Sequence, residues 1–235
     1  MSRAAPEILA ELSAAYYSGA REEVVERIRL RDASMTIFLS SVSIIGALYG
    51  GLVAYLDTTP AIILYGSYLL ILVCVLANAS ASVISQHHVL IGALEHYLVT
   101  ELDPELRRLG VTLPQWDLSG SVMGMKDYSI RSRSKGHQLL IIRIAVTSAA
   151  FFVILQATLG PHLSFVMGLG SMSEGFWAYL GSQSGSLLEI AISVMATFIA
   201  LSSVKSASDA INSASIQRGK YMDSMNAYIA SLERT

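Results

Sequence analysis

Four stretches of the chain are long, apolar and almost free of charge. Between Asp32 and Glu95 the only Lys, Arg, Asp or Glu is Asp57, and two later stretches contain one such charge each. A helix rises about 1.5 Å per residue, so about 20 apolar residues are enough to cross a hydrocarbon layer roughly 30 Å thick. The pattern therefore predicts membrane-spanning helices at residues 35–56, 61–85, 139–159 and 186–204.

The segments at the two ends of the chain also carry helical patterns. Residues 1–34 are predicted to form an amphipathic lead-in helix, with Ile8, Leu12 and Tyr16 on one stripe and an interruption near Gly19. Residues 205–235 are predicted to form a C-terminal helix, because apolar residues recur there at steps of three and four positions. That seam consists of Met222, Met225, Ile229 and Leu232.

The connections between the predicted spans differ in length. Residues 57–60 are predicted to form a tight turn whose proline opens the second span. Residues 86–136 contain further helices and a loop, including a short helix that Asp103-Pro104 opens and Gly110 ends. Residues 160–185 are predicted to form an outer loop, because Gly160-Pro161 interrupts the helical pattern of the third span.

The composition places the chain in the membrane class. Hydrophobic residues make up 53% of it and charged residues only 14%, whereas an average soluble domain carries roughly 25% charged residues. So few charges cannot coat a water-soluble globule of 235 residues. A formal net charge of −2 gives no overall bias towards nucleic acid or cations.

The basic residues predict how the spans are oriented. Fifteen of the sixteen Lys and Arg residues lie in the lead-in, the 86–136 segment or the tail, and the 57–60 turn and the 160–185 segment contain none. Cytosolic loops are the ones enriched in Lys and Arg. We therefore predict an all-α, polytopic protein of the bacterial inner membrane with four transmembrane helices, both termini in the cytosol and a cytosolic helical layer.

Small and polar residues within the spans are candidates for helix packing or for lining a pore. Gly46 and Gly50 form a GxxxG pattern in the first span, which allows two helix backbones to approach closely in lipid. Asn78 and Ser82 lie on a polar face of the second span. Interhelical hydrogen bonding and a pore lining both explain that face. Its other members are Ser67, Cys74 and Ser85.

The third and fourth predicted spans contain one charge each. Arg143 lies near the cytosolic end of its span, where its long stem can reach the headgroups. Glu189 lies near the outer end of the fourth span, and Ser193 and Thr197 follow it at steps of four on one stripe. Interface anchoring explains both charges. The alternative is a ring of Glu189 carboxylates around a cation-permeable pore in an oligomer.

Catalytic and cofactor-binding patterns are absent from the sequence. The chain has no GxGxxG, no GxxxxGK[ST] and no GxSxG pattern. Its one cysteine, Cys74, excludes an intramolecular disulfide and a cysteine-rich metal site, and its five histidines form no compact ligand set. We therefore predict a non-enzymatic protein with no catalytic residue, metal or cofactor.

The first half resembles a known group of membrane effectors. The basic run Arg27-Ile28-Arg29-Leu30-Arg31 directly precedes a span, a short outer turn follows, and the second span opens with the run at residues 64–70, Leu-Tyr-Gly-Ser-Tyr-Leu-Leu. His96-Tyr97-Leu98 and Glu101 lie in the helix after it. In plan this is similar to the SLATT-type effector domains of bacterial antiviral conflict systems. The resemblance covers residues 35–110 and the lead-in, and it implies that a cytosolic sensor triggers membrane damage through the spans.

Two functions are carried forward from the sequence. The first is a non-enzymatic inner-membrane effector, oligomeric and in contact with lipid, that permeabilises or depolarises the membrane when a cytosolic sensor protein signals. The alternative is a membrane scaffold that recruits a cytosolic protein or nucleic-acid complex without forming a pore; nucleic acid is otherwise contacted only indirectly. The docking candidates are the basic residues Arg27, Arg29, Arg31, Arg131, Arg133 and Lys135.

Overall fold

The computed structural model describes residues 6–55, 60–108, 110–111, 128–171, 176–232 and 234. Side chains are described for these residues except 6–7, 9–10, 55, 60–62, 128–135, 137, 160–171, 176–187 and 189. Within these ranges the chain is helical and contains no β-strand. The all-α class predicted from the sequence is confirmed for this part of the chain.

Three of the helices are much longer than a bilayer is thick. The helix α1 has 50 residues, so it is about 75 Å long at 1.5 Å per residue. The elements in chain order are α1 (Pro6–Tyr55), α2 (Pro60–Gly66), α3 (Leu69–Tyr97), a π-helix (Leu98–Leu102), α4 (Asp103–Arg108), α5 (Tyr128–Ser171) and α6 (Phe176–Leu232).

Four helical segments are long and apolar enough to cross a membrane. They lie within Glu11–Ala54, Ile63–Arg108, Gln138–Leu159 and Ile190–Leu232. Each overlaps most of one of the four spans predicted from charge-free windows, and the third contains its predicted span completely. The chain is therefore built as a multi-pass membrane protein.

The chain divides into two compact units. One, here called the span unit, consists of Thr36–Ala81 and Leu139–Asp209. The other, here called the polar unit, consists of Met1–Met35, Ser82–Gln138 and Ala210–Thr235. Fourteen of the sixteen Lys and Arg residues belong to the polar unit, the exceptions being Arg143 and Lys205. The units are therefore distinct in charge as well as in packing.

The core of the span unit is made of small residues. Cys74 on α3, Ala149 on α5 and Ala200 on α6 form a buried cluster with Val204 beside it. Small side chains let helix backbones approach closely, which matters in lipid because apolar side chains gain little by leaving a solvent as apolar as themselves. The three helices are therefore held together by close packing.

Two predicted interruptions are helical in the structure. The helix α1 passes through Gly19 without a break, because one glycine in a helix costs only about 1 kcal/mol relative to alanine. The helix α5 continues through Gly160-Pro161 to Ser171, and α6 begins at Phe176, so most of the predicted 160–185 loop is helix. Membrane proteins tolerate glycine and proline within helices because neighbouring groups and small local adjustments satisfy the backbone groups that are left free.

The predicted end of the short helix α4 at Gly110 is confirmed. The Gly110 N–H donates to the Arg107 carbonyl at 3.0 Å, and the Val111 N–H donates to the Leu106 carbonyl at 2.9 Å. These two bonds define a Schellman motif, which requires a left-handed residue at the helix end. Gly110 adopts that conformation with φ +80°, which glycine reaches without a steric penalty.

Candidate functional site

The second predicted span is interrupted near its Ala61 end. The helix α2 ends at Gly66 and α3 begins at Leu69, so the sequence-based prediction of one continuous helix from 61 to 85 is wrong. Around the break, the N–H groups of Tyr68, Leu70 and Ile71 donate to carbonyls three residues earlier instead of four. Such tight turns within a helix are typical of hinges.

Ser67 provides the local reason for the break. Its hydroxyl donates to the Leu64 carbonyl at 2.6 Å, and its N–H contacts the carbonyls of both Ile63 and Leu64. A serine that bonds to its own helix backbone competes with the regular ladder, and glycine–serine pairs are a common cause of helix kinks. The pair Gly66-Ser67 was therefore a usable sequence signal.

A cluster of polar side chains joins the break to α5 and α6. The Tyr68 hydroxyl lies 2.8 Å from the Ser193 hydroxyl on α6, and Ser193 donates to the amide oxygen of Gln156 on α5 at 3.0 Å. The amide nitrogen of Gln156 donates to the Ser67 hydroxyl oxygen at 3.2 Å. We call Ser67, Tyr68, Gln156 and Ser193 the polar clasp.

The clasp is a linear chain of hydrogen bonds between uncharged groups. Because Ser193 donates to Gln156, the Tyr68 hydroxyl must donate to Ser193. The chain then runs from Tyr68 through Ser193, Gln156 and Ser67 to the Leu64 carbonyl. Neither serine hydroxyl donates to a basic side chain, so the arrangement positions helices instead of activating a nucleophile.

Two aromatic contacts extend the clasp. The Tyr68 ring meets the fully buried Phe152 edge-on, with centroids 5.4 Å apart. At Gly66, an added Cβ would lie 3.2 Å from the Tyr49 ring. Glycine at this position therefore lets α1 approach the backbone at the break, and a larger residue would push the Tyr49 ring away.

The clasp includes one residue of the predicted Glu189–Ser193–Thr197 stripe. Ser193 is a member, whereas the Thr197 hydroxyl donates to the Ser193 carbonyl of its own helix at 2.8 Å. The Glu189 side chain lies outside the described residues. Sequence analysis missed Gln156. A glutamine within an apolar segment could have been recognised from the sequence, because its amide needs a hydrogen-bond partner in lipid.

In the part of the chain that the structure describes, nothing packs against the GxxxG glycines. A Cβ at Gly46 or at Gly50 would meet nothing within 4 Å. The first span turns Phe38 and Ile45 inwards, while Ser43 and Gly50 are exposed. Packing of these glycines against another helix of the same subunit is therefore not observed in the described ranges, and packing between copies stays a prediction.

The remaining candidates within the spans lie apart from the clasp. Arg143 is exposed on α5, as expected for a residue that reaches for headgroups. Asn78 is partly buried with its Oδ1 atom inside the protein, and Ser82 is half-buried; both have polar or electrostatic interactions. Cys74 and Ser67 from the same predicted face make interhelical contacts, Cys74 through the Ala145 carbonyl at 3.5 Å.

In the polar unit, the tail of α6 packs along the end of α3. Arg218 contacts the His88 ring at 3.1 Å and Glu95 at 3.4 Å, and Ser224 bonds to His96 at 3.0 Å. Gly92 makes this close packing possible, because a Cβ there would lie 3.2 Å from the Tyr221 ring. Met225, in the predicted apolar seam, is buried.

The far end of the tail meets a buried carboxylate. Asp103 is 1% exposed and follows the π-helix directly; it accepts hydrogen bonds from Arg107 at 2.6 Å and from the Tyr228 hydroxyl at 3.0 Å. Burial and then Asp103 raise the pKa of Tyr228, so the phenol stays protonated and donates. Sequence analysis assigned Asp103 only to a helix start.

His88 is held in its neutral form by its surroundings. It lies outside the 61–85 span and is 8% exposed. Burial, then Arg218 and Arg31, lower the pKa of His88 to about 4. Burial and Arg27 also lower the pKa of the neighbouring His87. Glu95 forms an ion pair with Arg218, the same arginine that contacts His88.

Stability of the folded protein is therefore expected to fall in mild acid. The unfolded state binds a proton at residue 88 near pH 6.5, whereas the folded state binds it only near pH 4. The contribution of His88 is thus complete above about pH 6.5 and is lost progressively between about pH 6.5 and pH 4. Thermal melting in detergent from pH 8 to pH 4 measures it. The His88→Gln variant should show a flatter pH profile, and an unchanged profile would contradict the assignment.

The predicted basic docking residues are described only in part. Arg27 pairs with Glu23 at 2.5 Å and Arg31 with Asp32 at 2.9 Å, while Arg29 is exposed. The side chains of Arg131, Arg133 and Lys135 lie outside the described residues. Local pairing of Arg27 and Arg31 leaves Arg29 as the more accessible cation of the lead-in.

Comparison with known proteins gives no assignment. No protein-family model, curated protein or solved structure matches the chain. Among the described residues, no group of three or more His, Cys, Asp or Glu side chains is arranged to hold a metal ion. The function is therefore inferred from the residues and their contacts.

Proposed function

We propose that this chain is a non-enzymatic effector of the bacterial inner membrane that assembles with copies of itself. In the assembled form it permeabilises or depolarises the membrane when a cytosolic sensor protein triggers it. The resemblance to SLATT-type effectors suggests antiviral defence as the setting. The proposal rests on the outward face of the first span.

That face is built of small and hydroxyl-bearing residues over its whole length. They recur at steps of three and four, as in a helix–helix seam. The six residues are Thr36, Ser40, Ser43, Ala47, Gly50 and Ala54, and all are exposed. They lie on the side of α1 opposite the buried Phe38 and Ile45. From Thr36 to Ala54 they extend about 27 Å, close to the thickness of the hydrocarbon layer.

The fourth span offers an internal comparison. Its outward face carries large apolar side chains, among them Val194, Met195, Phe198 and Leu201, each at least 55% exposed. Such side chains are well suited to lipid tails. Small residues facing lipid are instead characteristic of surfaces where helices approach one another closely. The first span also exposes large side chains such as Ile37 and Ile44, but its stripe of small residues has the composition of an assembly face, whereas the outward face of the fourth span suits lipid.

The same face explains permeability once copies assemble. Hydroxyl groups at Thr36, Ser40 and Ser43 supply polar positions that a ring of first spans can turn towards a central path. In a single copy the clasp residues hydrogen-bond to one another. We therefore place the path between copies and not within one.

The proposed topology has both termini and the 86–136 segment in the cytosol. It is supported by the polar unit, which gathers the lead-in, the middle segment and the tail together with most of the basic residues. The helices α1, α3, α5 and α6 each contribute residues to both units. A sensor that binds the polar unit therefore has four continuous helices through which to act on the spans.

Reconstitution into liposomes tests the proposal. We expect leakage of a trapped dye, or collapse of an imposed potassium potential, that rises steeply with the protein-to-lipid ratio. The variants Ser43→Leu and Gly50→Leu fill the seam and should weaken self-association by about tenfold, equivalent to roughly 1.4 kcal/mol. Cross-linking in the same liposomes measures that association directly.

The matched control is Val194→Leu on the outward face of the fourth span, where residue 194 is 63% exposed. It adds one methylene group at a lipid-facing position and should leave leakage and cross-linking unchanged. Absence of leakage at every ratio, from protein that is folded and cross-links normally, contradicts the permeabilising function.

A scaffold without a pore is the second candidate. It is favoured by the exposed stripe of Ile8, Leu12 and Tyr16 in the polar unit, each more than half exposed. An amphipathic helix face of this kind is a common docking surface for another protein. Under this alternative, Leu12→Glu abolishes partner binding in cells, while wild-type liposomes stay tight at every ratio.

A further inference from the structure

We propose that residues 60–68 are a hinged segment of the second span and that the polar clasp is the latch that holds it closed. The hinge lies at Gly66-Ser67-Tyr68, between α2 and α3. The latch consists of the two bonds that join this segment to its neighbours: Tyr68 to Ser193 on α6, and Ser67 to Gln156 on α5.

The backbone around the hinge is suited to movement. The three-residue steps at Tyr68, Leu70 and Ile71 separate the hydrogen-bond ladder of α2 from that of α3. The seven residues of α2 can therefore rotate without unwinding α3. Discontinuous helices in membrane proteins are commonly the elements that move.

The latch is reversible because its parts keep other partners when it opens. When the segment moves away, Ser193 and Gln156 remain bonded to each other across α5 and α6. Ser67 retains the Leu64 carbonyl of its own segment. The Tyr68 hydroxyl and the amide nitrogen of Gln156 each lose one partner, so the open state leaves only these two donors to be satisfied elsewhere.

A neighbouring helix is in position to act on the hinge. The Tyr49 ring of α1 lies against the backbone of Gly66, at the first residue of the break. Ala47 and Gly50 of the proposed assembly face flank Tyr49 on the same helix. Displacement of α1 within the span unit therefore reaches the hinge directly. This coupling relies on the proposed assembly, whereas the hinge and its latch do not.

Cysteine reactivity tests the hinge without any measurement of permeability. Leu64 is buried at 8% exposure on the segment, and Leu64→Cys in a Cys74→Ser background reports its movement to a small water-soluble thiol reagent. The native Cys74, the only cysteine of the chain, is fully buried on α3 beyond the hinge and reports the stability of the remaining core.

Opening the latch should accelerate labelling at position 64 alone. With Tyr68→Phe, which removes one bond, or Gln156→Leu, we expect the rate to rise by about threefold to twentyfold. This range corresponds to the hydrogen-bond energies measured between membrane helices. The rate at Cys74 should stay at its wild-type value in both variants.

Thr158→Val is the matched control. Thr158 lies two residues from Gln156 on α5, but its hydroxyl donates to the Ile154 carbonyl of its own helix at 2.8 Å. Its removal should change neither rate. Two results overturn the proposal: no acceleration at position 64 in either latch variant, or acceleration at Cys74 in parallel with position 64. The second result means that the clasp only supports the fold.

Discussion

The variant Ala149→Leu is expected to unfold the span unit in conditions where the wild-type protein is stable. Ala149 is 3% exposed and lies against Cys74 and Ala200, where three helices approach closely. A leucine adds three carbon atoms to a site with no room for them. Overpacking of this kind costs roughly 1–3 kcal/mol, and unfolding in mixed detergent and SDS micelles measures the loss of unfolding free energy.

The adjacent residue provides the control for this prediction. Ala150 lies on the same helix at the same depth, but it is exposed. The variant Ala150→Leu makes the same chemical change on the lipid-facing side and should alter stability by no more than about 0.5 kcal/mol. Equal effects of the two substitutions would mean that α5 does not pack as described.

The second large effect is expected at the buried carboxylate of the polar unit. Asp103→Ala removes the acceptor of Arg107 and of the Tyr228 hydroxyl, and it leaves the partly buried phenol without this partner. Such a loss costs about 1–3 kcal/mol. Residues 218–232 should then exchange their amide hydrogens faster, which mass spectrometry of peptides from this tail measures.

A second ion pair in the same short helix serves as a control, because it carries the same charges but is exposed. Glu105 and Arg108 lie 2.7 Å apart, almost the distance of the Asp103–Arg107 pair, but both side chains are more than 60% exposed. Exposed pairs contribute little, so Glu105→Ala should change tail exchange hardly at all. Tyr228→Phe in both backgrounds completes a double-mutant cycle. An absence of coupling to Asp103 would refute the docking role of this bond.

The proposed hinge can be tested separately from these two predictions. Latch variants alter one local motion, the Ala149 variant alters the whole span unit, and the Asp103 variant alters the docking of the tail. Thiol reactivity at position 64, unfolding free energy and amide exchange report separately on these events, so the three effects can be told apart.

Much of the architecture was accessible from the pattern of residues. The four apolar segments were predicted correctly because a bilayer excludes charge, so charge-free windows are visible without any knowledge of contacts. The end of α4 at Gly110 was equally local, since a left-handed residue is needed there. The GxxxG residues were recognised, and only their exposure had to come from the structure.

The errors arose at glycine, proline and serine residues, where local sequence rules predicted the wrong helix ends. Gly160-Pro161 is typical of a helix end, yet the helix α5 continues through it, because local adjustments can satisfy the backbone group that proline leaves free. Conversely, the second span reads as one apolar helix, yet it is interrupted at Ser67. Helix propensity takes no account of a serine hydroxyl that binds its own backbone, nor of the contacts that neighbouring helices make at that position.

Composition and charge settle how many segments are apolar and which segments carry the basic residues, because both properties add up along the chain without reference to its folding. The clasp and the tail contacts are different in kind. Tyr68 meets Ser193 and Asp103 meets Tyr228, each across 125 positions of sequence. No periodicity records which helix faces which; close packing at small residues, around Cys74 in the span unit and at Gly92 in the polar unit, selects the partners.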